Sequence, residues 1–315
     1  MTRLNYRSIV FVHGLTGNRE STWTDNESNI FWPVAFLSKD ISQARILSFG
    51  YDADFAHFLA ATSTNRIGEH ANNLANELAQ IRETTDSAER AILFVAHSLG
   101  GLVVEDALLA AKDNSEKYIR KLVQYVRGII FLGTPHLGTD KAKWASLLAN
   151  FASIVEKANT GLPGVLKPDS EVLARINSEF HQMVSIRIQE RRAPIWIKCF
   201  FEEYPYKGVL IVPKQSAALL GYNPQGISAN HVEMCKFESV ENPGYQAIKF
   251  QLLLWLKEII EIRQSTASLV TNSNENNRIL ESKQIDAGKG GSEIGGKSVL
   301  IGSVFARRDN LFNFS

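Results

Sequence analysis

Residues 90–112, Arg90-Ala-Ile-Leu-Phe-Val-Ala-His-Ser-Leu-Gly-Gly-Leu-Val-Val-Glu-Asp-Ala-Leu-Leu-Ala-Ala-Lys112, constrain the fold more than any other stretch of this chain. Ala91 to Ala96 is an unbroken apolar run of the kind buried on both faces of a parallel strand, while Leu102, Val103, Asp106, Ala107 and Ala110 carry the rhythm of a packed helix. Between them lies only Ala96-His97-Ser98-Leu99-Gly100-Gly101. Small-x-Ser-x-Gly between a strand and a helix is the nucleophile-elbow pattern, here with Ala96 in place of the usual first glycine. The turn is so tight that larger side chains two before or two after the serine would collide. It lifts the Ser98 hydroxyl above the sheet edge at a helix N-terminus, where free N–H groups favour negative charge.

Further strands flank this centre. Ser8 to His13, Ala44 to Phe49, Val126 to Leu132, Pro194 to Phe201 and Gly208 to Val212 are strand-like. Helical patterns separate several of them, including Asn65 to Glu83 with Ile67, Ala71, Leu74, Leu78 and Ile81 on one face. Strands alternating with helices predict right-handed crossovers and a mostly parallel sheet flanked by helices, the α/β-hydrolase fold. From Asp140 to Arg192 no strand-like run occurs. Two helices, Lys141 to Lys157 and Asp169 to Arg191, joined by Thr160-Gly-Leu-Pro-Gly164, are expected to form a helical cap over about 140–192. Trp144, Leu147, Leu148, Phe151, Ile154 and Val155 are candidates to line an acyl pocket, to face a membrane, or merely to pack that cap onto the sheet.

In this fold the catalytic serine, acid and histidine follow one another along the chain, with the histidine after the last strand. His231, in Asn230-His231-Val-Glu-Met-Cys-Lys-Phe237, is the candidate base. Glu202 and Glu203 end the strand running to Phe201; Glu202 is the preferred acid, with Asp52 after an earlier strand as the alternative. The first strand ends in His13-Gly14-Leu15-Thr16-Gly17, so the backbone N–H groups of Leu15 and Leu99 are the expected oxyanion donors, and His13 is expected to be structural. The chemistry these residues suit is transfer of an acyl group to water. No cofactor or metal is implied.

Composition narrows the class. Lys and Arg number 34 against 33 Asp and Glu, so no charge surplus points to nucleic acid. Two cysteines, Cys199 and Cys235, make no disulfide framework and suggest buried thiols in a reducing compartment. The N-terminal apolar run is too short for a signal peptide and no stretch nears a membrane span, so an intracellular protein is expected, with peripheral membrane contact left open.

Phe11-Val-His-Gly14, Ala44-Arg-Ile-Leu-Ser-Phe-Gly-Tyr-Asp-Ala53, His97-Ser-Leu-Gly-Gly101, Phe131-Leu-Gly-Thr-Pro-His136 and Asn230 to Phe237 together resemble the α/β-hydrolase domain of the serine-active-site-containing proteins. Fungal versions of that domain often stand at the N-terminus of NOD-like receptors. The resemblance, over Arg3 to Arg263, implies a lipase- or esterase-like enzyme. It suggests a lipid ester substrate, since some members are tied to phospholipid remodelling at mitochondria and endoplasmic reticulum. It also matches Phe-x-Glu to Phe200-Phe201-Glu202, and many relatives carry glutamate where this chain has Gln215. The alternative it raises is a weakly active or inactive hydrolase fold serving as a signalling or interaction module.

From Gln264 onward the chain is rich in Ser, Asn, Gly and Lys, and a disordered tail is expected over 264–315, after a hydrolase domain over 1–263. Gly291-Ser-Glu-Ile-Gly-Gly-Lys-Ser298 formally matches a P-loop. It lacks a preceding apolar strand and room for a supporting sheet, so it suggests the remnant of a truncated nucleotide-binding domain. Deleting residues 264–315 is therefore expected to leave hydrolysis and the melting transition intact; a lowered Tm on deletion would show that the tail is docked.

Overall fold

The computed structural model of the chain describes residues 7–15, 17–53, 66–138, 140–156, 170–190 and 193–288. Among them, one sheet is built from β1 (Arg7–Val12), β2 (Ala44–Phe49), β3 (Ile92–His97), β4 (Val126–Leu132), β5 (Trp196–Glu202) and β6 (Gln225–Ile227). The order is β2-β1-β3-β4-β5-β6, and every neighbouring pair is parallel. From β1, one strand in from the edge, the chain steps outward to β2 and then reverses to β3. Its switch point lies between the C-terminal ends of β1 and β3, the place where open α/β sheets form a crevice. This is the mostly parallel α/β-hydrolase architecture that the alternation of strands and helices predicts.

Alternating side chains sort the core into two halves. Val10, Val12, Phe94, Ala96, Ile129 and Phe131 face one layer; Ile9, Phe11, Leu93, Val95, Ile130 and Leu132 face the other. The first layer contains α1 (Arg66–Thr84), α2 (Gly100–Lys112), α3 (Lys117–Tyr125) and α5 (Ser170–Gln189), each contributing buried apolar residues to one cluster. The second is made by the π-helical turn Pro33–Leu37, opened by proline, and by the first turns of α6 (Pro243–Gly288). Both faces being covered explains why these strands carry almost no polar alternation.

The structure departs from the sequence-based expectation in three places. Gly208–Val212 is no strand; the sixth strand is the three-residue Gln225–Ile227. The backbone N–H groups of Ile211 and Val212 donate instead to the Glu202 carboxylate, which takes them out of any ladder. The predicted cap also divides. Helix α4 (Lys141–Glu156) gives Trp144, Leu147 and Phe151 to the first core layer and sets Phe151 against the His231 ring. Helix α5 is the crossover from β4 to β5: Leu173, Ile176, Phe180 and Val184 pack into the sheet's core, and Arg187 donates to the carbonyl of Val126 at the start of β4. Finally, α6 runs to Gly288 where disorder is expected from residue 264. No Gly or Pro interrupts the sequence between Gly244 and Gly288, so nothing local ends the helix. The chain divides into two compact units, Met1–Glu261 and Ile262–Ser315. The Thr160–Gly164 linker, the P-loop-like Gly291–Ser298 and the side chains of Leu148, Ile154 and Val155 lie outside the described residues.

One contact shows how closely α6 is laid on the sheet. A Cβ on Gly128 of β4 would stand 2.5 Å from the Trp255 ring and 3.0 Å from Leu93. Trp255 is buried and stacks on Trp196, with ring centroids 6.3 Å apart. Gly128→Ala is therefore expected to cost about 1–3 kcal/mol by overpacking, read as a lowered Tm. Adding Trp255→Leu should recover part of the loss, and an unchanged Tm in the single variant would contradict this packing.

Candidate active site

The β3–α2 turn holds Ser98 at φ +55°, the left-handed region that non-glycine residues rarely enter. Several neighbours fix it there. The Ser98 N–H donates to Leu132 O at 2.8 Å, and the Thr134 hydroxyl donates to Ser98 O at 2.9 Å. The exit of β1 lies directly against the turn: a Cβ on Gly100 would fall 2.1 Å from His13 O, and one on Gly14 would fall 2.6 Å from Ser98 Cβ. Glycine is required at both positions, at Gly100 by the Val12 and His13 carbonyls and at Gly14 by the Ser98 Cβ and the His97 carbonyl. Ala96, fully buried and in register with Val12 and Phe131, satisfies the small-residue requirement at the other end of the motif.

His231 arrives four residues after β6. The Asn230 side-chain oxygen accepts the N–H groups of Val232 and Glu233 and shapes the turn that presents the imidazole. Its Nδ1 lies 2.5 Å from Glu202 Oε2 and its Nε2 lies 3.0 Å from Ser98 Oγ. A buried carboxylate facing Nδ1 puts the proton there, which leaves Nε2 free to accept from the serine hydroxyl. The other Glu202 oxygen accepts the N–H groups of Ile211 and Val212 at 2.5 and 2.9 Å. Ser98, Glu202 and His231 are 2%, 1% and 2% exposed, so the whole chain of bonds lies in a water-poor environment where it is electrostatically strong. Phe151 of α4 packs edge-on against the His231 ring at 5.5 Å, and Gly133, at φ +59°, leaves the ring room from below.

The three residues singled out from sequence thus come together, and the geometry separates the alternatives for the acid. Glu203 points away, accepting the Ser228 hydroxyl at 2.6 Å in an exposed position. Asp52 follows β2, at the opposite edge of the sheet from β6. Leu15 follows Gly14 against the elbow, and Leu99 is the N-cap of α2, where an N–H has no carbonyl to meet within the helix. His181 of α5 faces the carbonyl of Leu220.

Sequence reasoning missed Tyr51. Its hydroxyl donates to His13 O at 2.8 Å, its N–H donates to His13 Nε2 at 3.2 Å, and the two rings stack at 4.3 Å. His13 Nδ1 in turn faces Gly14 O at 3.0 Å, and burial lowers the imidazole pKa, keeping it neutral. Tyr51 and His13 therefore brace the loop that carries Leu15. The signal available beforehand was its place directly after a strand and a glycine, in Phe49-Gly50-Tyr51.

A parallel sheet with a serine elbow at its switch point and a histidine after its last strand is the arrangement of the α/β-hydrolase class, and this chain has that fold. It belongs to the family described as "Putative serine esterase (DUF676)", whose pattern matches residues 5–168, just over half of the chain. Among curated proteins it is similar to Protein SERAC1 of Bos taurus, 27% identical over 250 residues, covering 72% of this chain and 36% of that protein. It is also similar to Protein SERAC1 of Danio rerio, 28% identical over 261 residues, covering 76% and 37%. The chain thus spans a little over a third of the length of these relatives. Among solved structures, the Bacillus licheniformis lipase BlEst2 aligns at a TM-score of 0.45 and 19% identity, covering 78% of this chain and 92% of that one. Esterase B from Lactobacillus rhamnosis aligns at 0.46 and 12%, covering 85% and 81%.

Tyr51→Phe is expected to slow ester turnover by about tenfold through a loosened Leu15 loop, with KM little changed. Steady-state kinetics on a chromogenic ester checks this; unaltered kcat would detach Tyr51 from the site.

Proposed function

We propose that this chain hydrolyses carboxylic esters, with lipid or other acyl esters as the substrate class, through a Ser98-His231-Glu202 triad. The observation that carries the reading is the continuous bond chain from Ser98 Oγ through the His231 ring to Glu202. In the acylation step His231 Nε2 takes the hydroxyl proton as Ser98 Oγ bonds to the ester carbon, and the carbonyl oxygen becomes an oxyanion beside the Leu15 and Leu99 N–H groups. The imidazolium returns the proton to the departing alcohol, leaving an acyl-serine. Water, deprotonated by the same nitrogen, then releases the acid and restores Ser98. Glu202 keeps the proton on Nδ1 and stabilises the transient imidazolium. Phe151 on α4, buried beside the His231 ring, favours an apolar acyl group.

Ser98→Ala is expected to abolish labelling by a fluorophosphonate probe and hydrolysis of p-nitrophenyl butyrate, and to leave the melting transition nearly in place. Glu202→Gln should lower kcat by roughly 10³- to 10⁴-fold with KM little affected, and Glu203→Gln should be nearly silent. Labelling that persists without the Ser98 hydroxyl would move the nucleophile elsewhere. A wild-type chain that neither labels nor turns over would instead favour a hydrolase fold retained as an interaction module.

A further inference from the structure

We infer that His97 is a positioning residue, whose imidazole fastens the backbone of the His231 loop to the elbow carrying Ser98 and thereby sets the distance between base and nucleophile. The inference rests on the reading of Ser98 as nucleophile and His231 as base. His97 Nε2 lies 2.9 Å from the carbonyl oxygen of His231. A carbonyl can only accept, so Nε2 carries the proton and donates. The ring is buried, 5.0 Å from the His231 ring and edge-on to Trp23 at 6.5 Å. Burial, reinforced by the neighbouring His231, pushes the His97 pKa down to about 3, so the ring stays a neutral, single-proton donor throughout the range in which an esterase works.

The placement makes this bond consequential. His97 is the last residue of β3 and precedes Ser98 directly, so its backbone is held in the sheet by its pairing with Leu132. His231 stands on a loop after β6, three strands away in the sheet. Glu202 reaches the His231 ring from the β5 side and governs its rotation and tautomer. His97 reaches the His231 main chain from the β3 side and governs where that ring is hung. Two tethers on opposite sides of one residue define a position that either alone leaves loose, and the 3.0 Å approach of Nε2 to Ser98 Oγ depends on both.

The test compares wild type, Ser98→Ala, His97→Met and His97→Gln in the full chain. Methionine keeps the length and apolar bulk without a donor, whereas glutamine restores an N–H at similar reach. His97→Met is expected to lower kcat for p-nitrophenyl butyrate and the fluorophosphonate labelling rate by about tenfold or more, with KM within about twofold, and His97→Gln to regain most of the loss. A His97→Met kcat within twofold of wild type overturns the inference, as does a glutamine variant as impaired as the methionine one. Failure of wild type to label, or labelling that survives Ser98→Ala, overturns the site reading instead and is recognisable as such. Side-chain nitrogen–proton correlation spectra of the wild-type histidines test the same bond without any variant. A neutral His97 with its proton on Nε2 from pH 5 to 9 is expected; a proton on Nδ1, or titration in that range, overturns the inference.

Discussion

The left-handed backbone at Ser98 is the constraint on which the rest of the site depends. A non-glycine residue in that region costs about 1–3 kcal/mol and persists only where its surroundings over-determine it. Here they do so from three directions: Leu132 O takes the Ser98 N–H, Thr134 donates to the Ser98 carbonyl, and the β1 exit at Val12 and His13 closes on Gly100. Each of these groups belongs to a strand adjacent to β3 or to the loop that follows it. The strain is thus held by the sheet's own pairing, and loss of register in β1 or β4 would release it.

From that point the site is assembled by topology. Placing β1 and β3 side by side, with the reversal of winding between them, brings the His13-Gly14-Leu15 loop against the elbow. Placing β5 and β6 beyond β4 brings an acid and a histidine back toward it from the other side. No single element contains more than one member of the Ser98, Glu202 and His231 chain. The proton positions on the rings are nonetheless set by their partners: a carboxylate at His231 Nδ1, a carbonyl at His97 Nε2, and at His13 a carbonyl on Nδ1 and an N–H on Nε2.

Much of this was legible in the residues because buried parallel strands are written as apolar runs and the elbow is written as small residues around a serine. Ser8 to His13, Ala44 to Phe49 and Val126 to Leu132 were readable for the first reason, and Ala96 to Gly101 for the second. What stayed hidden lacks a local signal. Gln225–Ile227 is a strand because β5 offers it an edge, and Gln-Gly-Ile carries no β pattern of its own. Gly208–Val212 is apolar, yet its N–H groups serve a carboxylate. Helix α5 has an ordinary amphipathic pattern, and only the need to cross from β4 to β5 distinguishes a crossover from a cap. Tyr51 and His97 act through carbonyl oxygens of other segments, which no spacing rule registers. At Glu202 and Glu203 alternation along the strand indicated that only one of the two turns inward, and the bonds that hold Glu202 come from nine and ten residues later.

Those last bonds carry a consequence for how such a chain can vary. Glu202 is gripped by the peptide groups of Ile211 and Val212, and every amino acid except proline supplies the same group. Side chains at these two positions can drift among related proteins without disturbing the carboxylate, whereas inserting or removing a single residue between 203 and 210 would swing the donors out of reach. The constraint on this segment is therefore one of length and of the exclusion of proline, carried by backbone spacing and not by side-chain identity.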